Sequence, residues 1–241
     1  MAREVTLAHA LVELADTLVA DFDVVDFLHV LANRCVELLG VQAAGLMLGD
    51  QTGQLRLMAS SSEQSRLLEL FELEADEGPC LTCFDTGQPT SDTKLEQPDP
   101  RWPRFGSHAA NAGFQSVYAL PLKLRTDVIG VLNLFADAPG PLPDNHLRIG
   151  QALADVATIG LLQHRAIEHR QLLAEQLQGA LNSRVLVEQA KGAVAERLRV
   201  GMPEAFDSMR AYARRHRQRL SQVALGIIEG TVDTAQFGPP R

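Results

Sequence analysis

Apolar residues first recur at helical intervals, over residues 2–20 and again over 23–39. In the second stretch Val24, Phe27, Leu28, Leu31, Cys35 and Leu38 form a broad apolar face, which Gly40 ends. The pattern then turns to strands. Residues 43–48 and 54–59 flank a turn rich in Gly and Asp (Gly49–Gly53) and predict a hairpin. A short helix is expected over 62–72. After the break Glu77-Gly78-Pro79-Cys80 comes a helix-like LTCFDTG that stops at Gly87. Residues 89–95 read as an extended edge, 97–103 as irregular because of three prolines, and 105–111 as helical. Residues 116–124 and 128–135 are apolar strands, the second apolar on both sides of Asn133 as a central strand would be. Asp144 is placed to cap a long helix running through Leu153, Val156, Ile159 and Leu162.

That helical pattern does not stop at the strands' domain. Ile159, Leu162, Ala166, Leu173, Leu177 and Ala180 advance mostly in steps of three, four and seven, one seam on an otherwise solvated stretch, and no proline falls between Asp144 and Leu198. Residues 183–230 then read as three short helices. Leu186, Ala190, Val194 and Leu198 give the first its apolar stripe, opposite Glu188, Lys191 and Arg199, and Gly201 breaks it. Pro203 and Glu204 suit the first turn of the second, where a missing N–H costs nothing and a carboxylate meets the positive helix end. Its inward face is expected to be Ala205, Phe206, Met209 and Ala213. Arg210, Arg214 and Arg217 recur at i, i+4 and i+7 on the neighbouring face. Ser221 is expected to cap the third helix, with Val223, Ala224, Ile227 and Ile228 buried and Gly230 beyond its end.

The charge is unevenly divided. Residues 1–178 hold twelve Lys/Arg against twenty-four Asp/Glu, whereas residues 179–241 hold ten against six. An acidic body with a basic tail suits a protein whose tail alone approaches a polyanion. No apolar run is long enough to span a bilayer, and the acids Glu4, Glu13 and Asp16 do not fit a signal peptide, so a cytoplasmic protein with no membrane partner is expected. Cys35, Cys80 and Cys83 make no disulfide framework. Cys80-Leu81-Thr82-Cys83 is a CxxC without a second ligand pair at zinc spacing, so buried thiols are expected and no metal. No P-loop, G-x-S-x-G or HExxH occurs, hence no catalytic residue and no cofactor.

The run RVLVEQAKGAVAERL, followed by PEAFDSMRAYA and RLSQVALGII, resembles the ANTAR domain, a three-helix RNA-binding module of bacterial transcription antiterminators. The match rests on Ala190-Lys191-Gly192, Glu204-Ala205-Phe206, Arg210, Ala213, Leu220 and Val223-Ala224. It implies RNA contact by Lys191, with Arg210, Arg214 and Arg217 as the next candidates and Arg215 and Arg219 beside them. It further implies a partner RNA with paired hairpins whose loops present unpaired bases, and a homodimer to match the two hairpins. Upstream, Glu77-Gly78-Pro79-Cys80, Asp92, Trp102-Pro103-Arg104-Phe105, Ala119-Leu120-Pro121-Leu122 and Gly130-Val131-Leu132-Asn133-Leu134 resemble a GAF domain, a small-molecule-sensing fold with a central antiparallel sheet, of the kind paired with ANTAR modules in actinobacterial regulators.

The fold class expected is therefore α+β: a GAF sensor over 1–164, a helical linker over 165–182 and an ANTAR bundle over 183–241. Glu77, Cys80, Trp102, Phe105 and Asn133 are candidates to line the sensor's pocket for a small-molecule or protein signal. Two other readings stand beside this one. Some GAF relatives reduce free methionine sulfoxide with cysteines, which would employ Cys80 and Cys83. A DNA-binding helix-turn-helix is the other, weakened because QVALGIIEG has almost no side chain able to read a base.

Overall fold

The computed structural model describes His9, residues 12–14, 23–97 and 99–233, and Phe237. The helix expected over residues 2–20 lies largely outside these. The chain divides into two compact units, Met1–Arg165 and Ala166–Arg241.

In the first unit α1 (Val24–Leu39) starts on Asp23, whose carboxylate accepts from the amides of Val25 (2.7 Å) and Asp26 (3.2 Å). It ends on Gly40 in the left-handed conformation, as its apolar spacing and terminal glycine predict. There follow β1 (Ala43–Gly49), β2 (Leu55–Ser60), α2 (Glu63–Ala75), α3 (Pro79–Thr86), β3 (Thr90–Asp92), α4 (Pro103–Asn111), β4 (Ser116–Leu124) and β5 (Asp127–Ala136). The strands form one five-stranded sheet of order β2-β1-β5-β4-β3, each neighbouring pair antiparallel. β5 lies at its centre, with Gly45 of β1 opposite Asn133.

Both faces of this sheet are covered, so alternate residues enter different cores. Leu46, Leu120, Leu132 and Leu134 pack with Leu28, Leu31 and Cys35 of α1 and with Leu153 and Ala157 of α5 (Asp144–Leu198). On the other face Val117 and Phe135 join Trp102, Phe105 and Phe114, while Met47, Ala119 and Val131 join Cys80 and Cys83. The α5 face differs from expectation. Ala154 and Ala157 let the helix lie close, which buries Leu153 and Leu161 and leaves Ile159 exposed.

The second unit comprises the rest of α5, then α6 (Met202–His216) and α7 (Leu220–Ile228). Ala190, Val194, Ala205, Met209, Ala213, Val223, Ala224, Ile227 and Phe237 form its core. The unit departs from the sequence reading in four places, two at helix ends and two in which residue faces inward. α5 stops because Arg199 turns left-handed (φ 56°), and Gly201 instead serves as the N-cap of α6. Phe206 is only half-buried, and Ser208 takes its place inside. α7 begins a residue before Ser221: Arg219 is its N-cap, and its amide donates to Gln222 Oε1 at 3.1 Å. Ile228 is exposed, and Gly226 faces inward instead. From Leu172 to Val185, α5 carries exposed Leu172, Leu173, Leu177, Leu181 and Val185.

Glu77 belongs to this scaffold. α4 begins with Trp102 and Pro103 and has no capping side chain of its own. The Glu77 carboxylate, from the turn before α3, accepts the amides of Arg104 (2.5 Å) and Phe105 (2.9 Å). A charge at the positive end of a helix makes these strong hydrogen bonds. Glu77→Ala is expected to lower the unfolding free energy by about 1–2 kcal/mol, read from a urea titration, because two amides lose their acceptor.

Candidate functional site

The second unit gathers positive charge round one hollow. Arg210, Ala213, Arg214, Arg217, Gln218 and Leu220 line a cavity of about 350 Å³. Arg210 and Arg214 reach it from successive turns of α6. Arg217 reaches it by another route than the predicted i+7 position. α6 closes with Arg217 left-handed (φ 53°), and the Gln218 amide donates back to the Ala213 carbonyl at 2.9 Å. That turn brings Arg217 beside Leu220, at the start of α7. No carboxylate lines the hollow, and none among the described residues pairs with these three guanidinium groups. Arg210 also lies 5.7 Å over the half-buried ring of Phe206.

Lys191 lies elsewhere, on α5. Its side chain is only 18% exposed and Nζ holds Glu188 Oε2 at 2.5 Å, so the amine is less open than its small neighbours suggest. Ala190 is wholly buried in the bundle core. Gly192 behaves differently: a Cβ there would meet nothing within 4 Å, so packing inside this chain does not require glycine.

In the first unit the five candidate residues separate. Glu77 and Trp102 line a hollow of about 790 Å³ between β2, α2 and α3, together with Arg56, Asp76, Asp85 and Arg101. Trp102 Nε1 donates to Thr82 Oγ1 at 3.2 Å, and Arg101 lies 4.1 Å over its ring. Phe105 is enclosed in the aromatic core. Cys80 and Asn133 are buried beside the centre of the sheet and do not line the hollow.

Those two meet a pair of residues that the sequence reading passed over. α2 turns Ser65, Glu69 and Glu72 inward while Leu67 and Leu70 face out. Asn133 Nδ2 donates to Glu69 Oε1 at 3.0 Å, and the Cys80 amide donates to Glu72 Oε1 at 2.8 Å. Glycine makes the room, because a Cβ on Gly45 would overlap the Glu69 carboxylate and one on Gly78 that of Glu72. Burial pushes Glu69 up to about 8; the Asn133 hydrogen bond opposes the rise, the charge of Glu72 adds to it, and Ser60 opposes weakly. Burial likewise raises Glu72 to about 7, against the hydrogen bonds from the amide and thiol of Cys80. A signal for both was present in the glutamates at i and i+3 of EQSRLLELFELEA, but it reads equally as a solvated face.

The thiols are held in their neutral form. Burial raises Cys80 well above its ordinary value, with the Glu72 charge adding to it, and raises Cys83 to about 12. Cys80 Sγ also lies 3.5 Å from Met47 Sδ. A thiol must ionise to attack, so neither cysteine is poised as a nucleophile in this arrangement. Among the described residues, no group of three His, Cys, Asp or Glu is placed to hold a metal, and no helix is long and apolar enough to cross a membrane.

Comparison with known proteins accords with both units. A GAF domain model matches residues 23–161 and an ANTAR domain model residues 175–228. A comparison with curated proteins finds no match. Among solved structures, the GAF domain of a phosphoenolpyruvate-protein phosphotransferase from Coxiella burnetii is 16% identical, with a TM-score of 0.54 over 68% of this chain and 98% of that one. The free methionine-R-sulfoxide reductase from Neisseria meningitidis is 18% identical, at 0.53 over 68% and 91%. A domain of a two-component sensor histidine kinase from Sinorhizobium meliloti is 16% identical, at 0.51 over 61% and 95%. At such identities the likeness speaks for the fold alone. The chain belongs to the GAF domain family and joins that signal-sensing domain to an ANTAR domain, an RNA-binding antiterminator module.

Proposed function

We propose that this protein is a signal-responsive antiterminator that binds paired hairpins in nascent RNA as a homodimer. The observation that carries the reading is the hollow of Arg210, Arg214 and Arg217, three guanidinium groups with no carboxylate among them. Planar guanidinium groups match phosphate oxygens two at a time, and three of them round one concavity suit a bent phosphodiester backbone better than an open helix face would. Open space over Gly192 supports close approach of RNA to α5 near Lys191, which would exchange Glu188 for a phosphate. Unpaired loop bases would supply the specificity that phosphate contacts lack.

Domain limits of 1–164, 165–182 and 183–241 complete the reading. The exposed apolar residues Leu173, Leu177 and Leu181 of α5 would be covered by the same helix of a second copy, so that one dimer presents two modules to two hairpins. The sensor's signal would enter the hollow beside Trp102, whose lining carries both Arg56 and Arg101 and three carboxylates. Such a lining favours a small polar molecule bearing both signs of charge.

The first test is a titration of a dual-hairpin RNA and a duplex DNA of similar charge at two salt concentrations, with Lys191→Ala, Arg210→Ala, Arg214→Ala and Arg217→Ala. Each Arg variant is expected to bind the RNA more weakly, with the log–log salt slope reduced by about one. Equal, weak binding of both polyanions would overturn the proposal.

The second test is Leu173→Glu combined with Leu177→Glu. Sedimentation should report a monomer, and affinity for the dual hairpin should fall about a hundredfold while that for a single hairpin is kept. A dimer that survives both charges would remove α5 from the interface.

A further inference from the structure

The inverted helix α2 poses a question that RNA binding does not answer. Glu69 Oε1 accepts from Asn133 Nδ2, but Glu69 Oε2 and Asn133 Oδ1, both buried, find no hydrogen-bond partner within 3.5 Å among the described residues. Asn133 is 1% exposed, and its amide orientation follows from its nitrogen's bond to the carboxylate. Its oxygen is therefore a second acceptor beside an acceptor.

Among the described residues, none that meets the pair carries positive charge. α2 contributes Glu69 and Glu72; α3 contributes the thiols of Cys80 and Cys83; β5 contributes Asn133, β2 Ser60, and β1 only Gly45 and Met47. The basic groups that α4 brings to α2 lie against Phe71 instead: His108 stacks on its ring at 3.6 Å and Arg104 stands 5.6 Å from it. An ionised carboxylate enclosed this way is held at high cost. The carboxylates already fill the space that a Cβ on Gly45 or Gly78 would need, so what neutralises them must be small.

A proton meets every one of these conditions. Placed on Glu69 Oε2, it makes a carboxylic acid whose O–H donates and whose C=O accepts, the complement of a primary carboxamide, and both orphaned oxygens gain a partner at once. We propose that Glu69 is a proton-binding site of the sensor unit, carried as the neutral acid paired with Asn133, and that loss of the proton loosens α2 from the sheet.

The raised values of Glu69, about 8, and Glu72, about 7, place the exchange near neutral pH. Standing one turn apart, the two titrate as a pair. In the unfolded chain both would ionise near the ordinary carboxyl value of 4.5. Their neutral forms are thus favoured by folding. The stability this confers is complete below that value and is lost progressively as pH climbs through the folded values. The inference concerns the sensor unit alone, and the RNA titration can fail without touching it.

Infrared difference spectroscopy of the full chain between about pH 5.5 and pH 9 tests it directly, because a buried protonated carboxyl has its own carbonyl stretch. The wild-type protein should show such a band still present near pH 7, and Glu69→Gln should lose its higher-titrating component while keeping that of Glu72. The glutamine mimics the protonated acid permanently. Near pH 8.5 its melting temperature should exceed that of the wild type, and its α2 amides should exchange several-fold more slowly, while Glu72→Gln retains the Glu69 band.

Absence of the band in the wild-type protein near pH 7, which needs no variant to fold, would overturn the proposal. So would a band whose higher-titrating component Glu69→Gln leaves intact. Restoration of wild-type stability near pH 8.5 by potassium or methylammonium chloride, with the carboxylates still ionised, would likewise reject the proton in favour of a cation.

Discussion

A sheet covered on both faces decides most of what the first unit can contain. Once helices lie on either side of β1, β5 and β4, the central residues of those strands are buried, and each must be apolar or hydrogen-bonded within the protein. Leucines supply one face and Val, Phe and Met the other. Asn133 is the exception, polar at the middle of the central strand. Its presence requires a partner from the layer above, which α2 supplies by turning Glu69 down. Gly45 is required in turn, because it stands opposite Asn133 and directly under that carboxylate. A single polar side chain at the sheet's centre thus constrains a strand neighbour and the orientation of a whole helix.

The second unit follows a different economy of space. Its core is made largely of alanines with Val, Met and Ile between them, so its helices approach closely and long side chains are left for the surface. Helix ends then do what helix faces do not. Arg217, left-handed at the close of α6, is turned from a third rung on a straight ladder into one side of a cup. An exposed ladder of arginines would bind polyanions by charge alone, whereas a concavity adds shape to the charge.

Periodicity exposed nearly every described element to the reader of the sequence, because strands and helices that bury one face repeat their apolar residues at different intervals. The strand bounds 116–124 and the terminators Gly40 and Gly87 follow from residue type alone. What stayed hidden depended on contacts between distant segments. EQSRLLELFELEA has leucines and glutamates in alternation, and only the Gly45–Asn133 pair across the sheet decides that the glutamates face in. Glu77 lines the hollow beside Trp102, but nothing in its own stretch of sequence shows that it also caps α4, because the amides it accepts lie 27 and 28 residues on. Lys191 looked open because its neighbours are small, yet one of them, Ala190, is small in order to pack, and Glu188 one turn away takes the amine. Gly201 and Ser221 are the strongest break and cap by type, but Arg199 and Arg219 end and start the helices, since tertiary packing overrides a local preference of about 1 kcal/mol.

The interior of the sensor is poorly explained by stability. Well-packed apolar side chains of similar volume in place of buried ionisable groups are often neutral or stabilising. Here five residues from four elements, Gly45, Glu69, Glu72, Gly78 and Asn133, must all be present together for any of them to be tolerated. Remove either glycine and a carboxylate has no room; remove Asn133 and Glu69 Oε1 loses its donor. The thiols beside them are shifted upward for the same reason as the carboxyls: one low-dielectric enclosure, with no cation among the described residues in it, disfavours every negative charge at once. A carboxyl is thereby raised into the neutral pH range, while a thiol is raised out of it. The enclosure therefore leaves α2 with one coupled pair of ionisations, Glu69 and Glu72, within reach of ordinary conditions, at the contacts that hold it to the sheet and to α3.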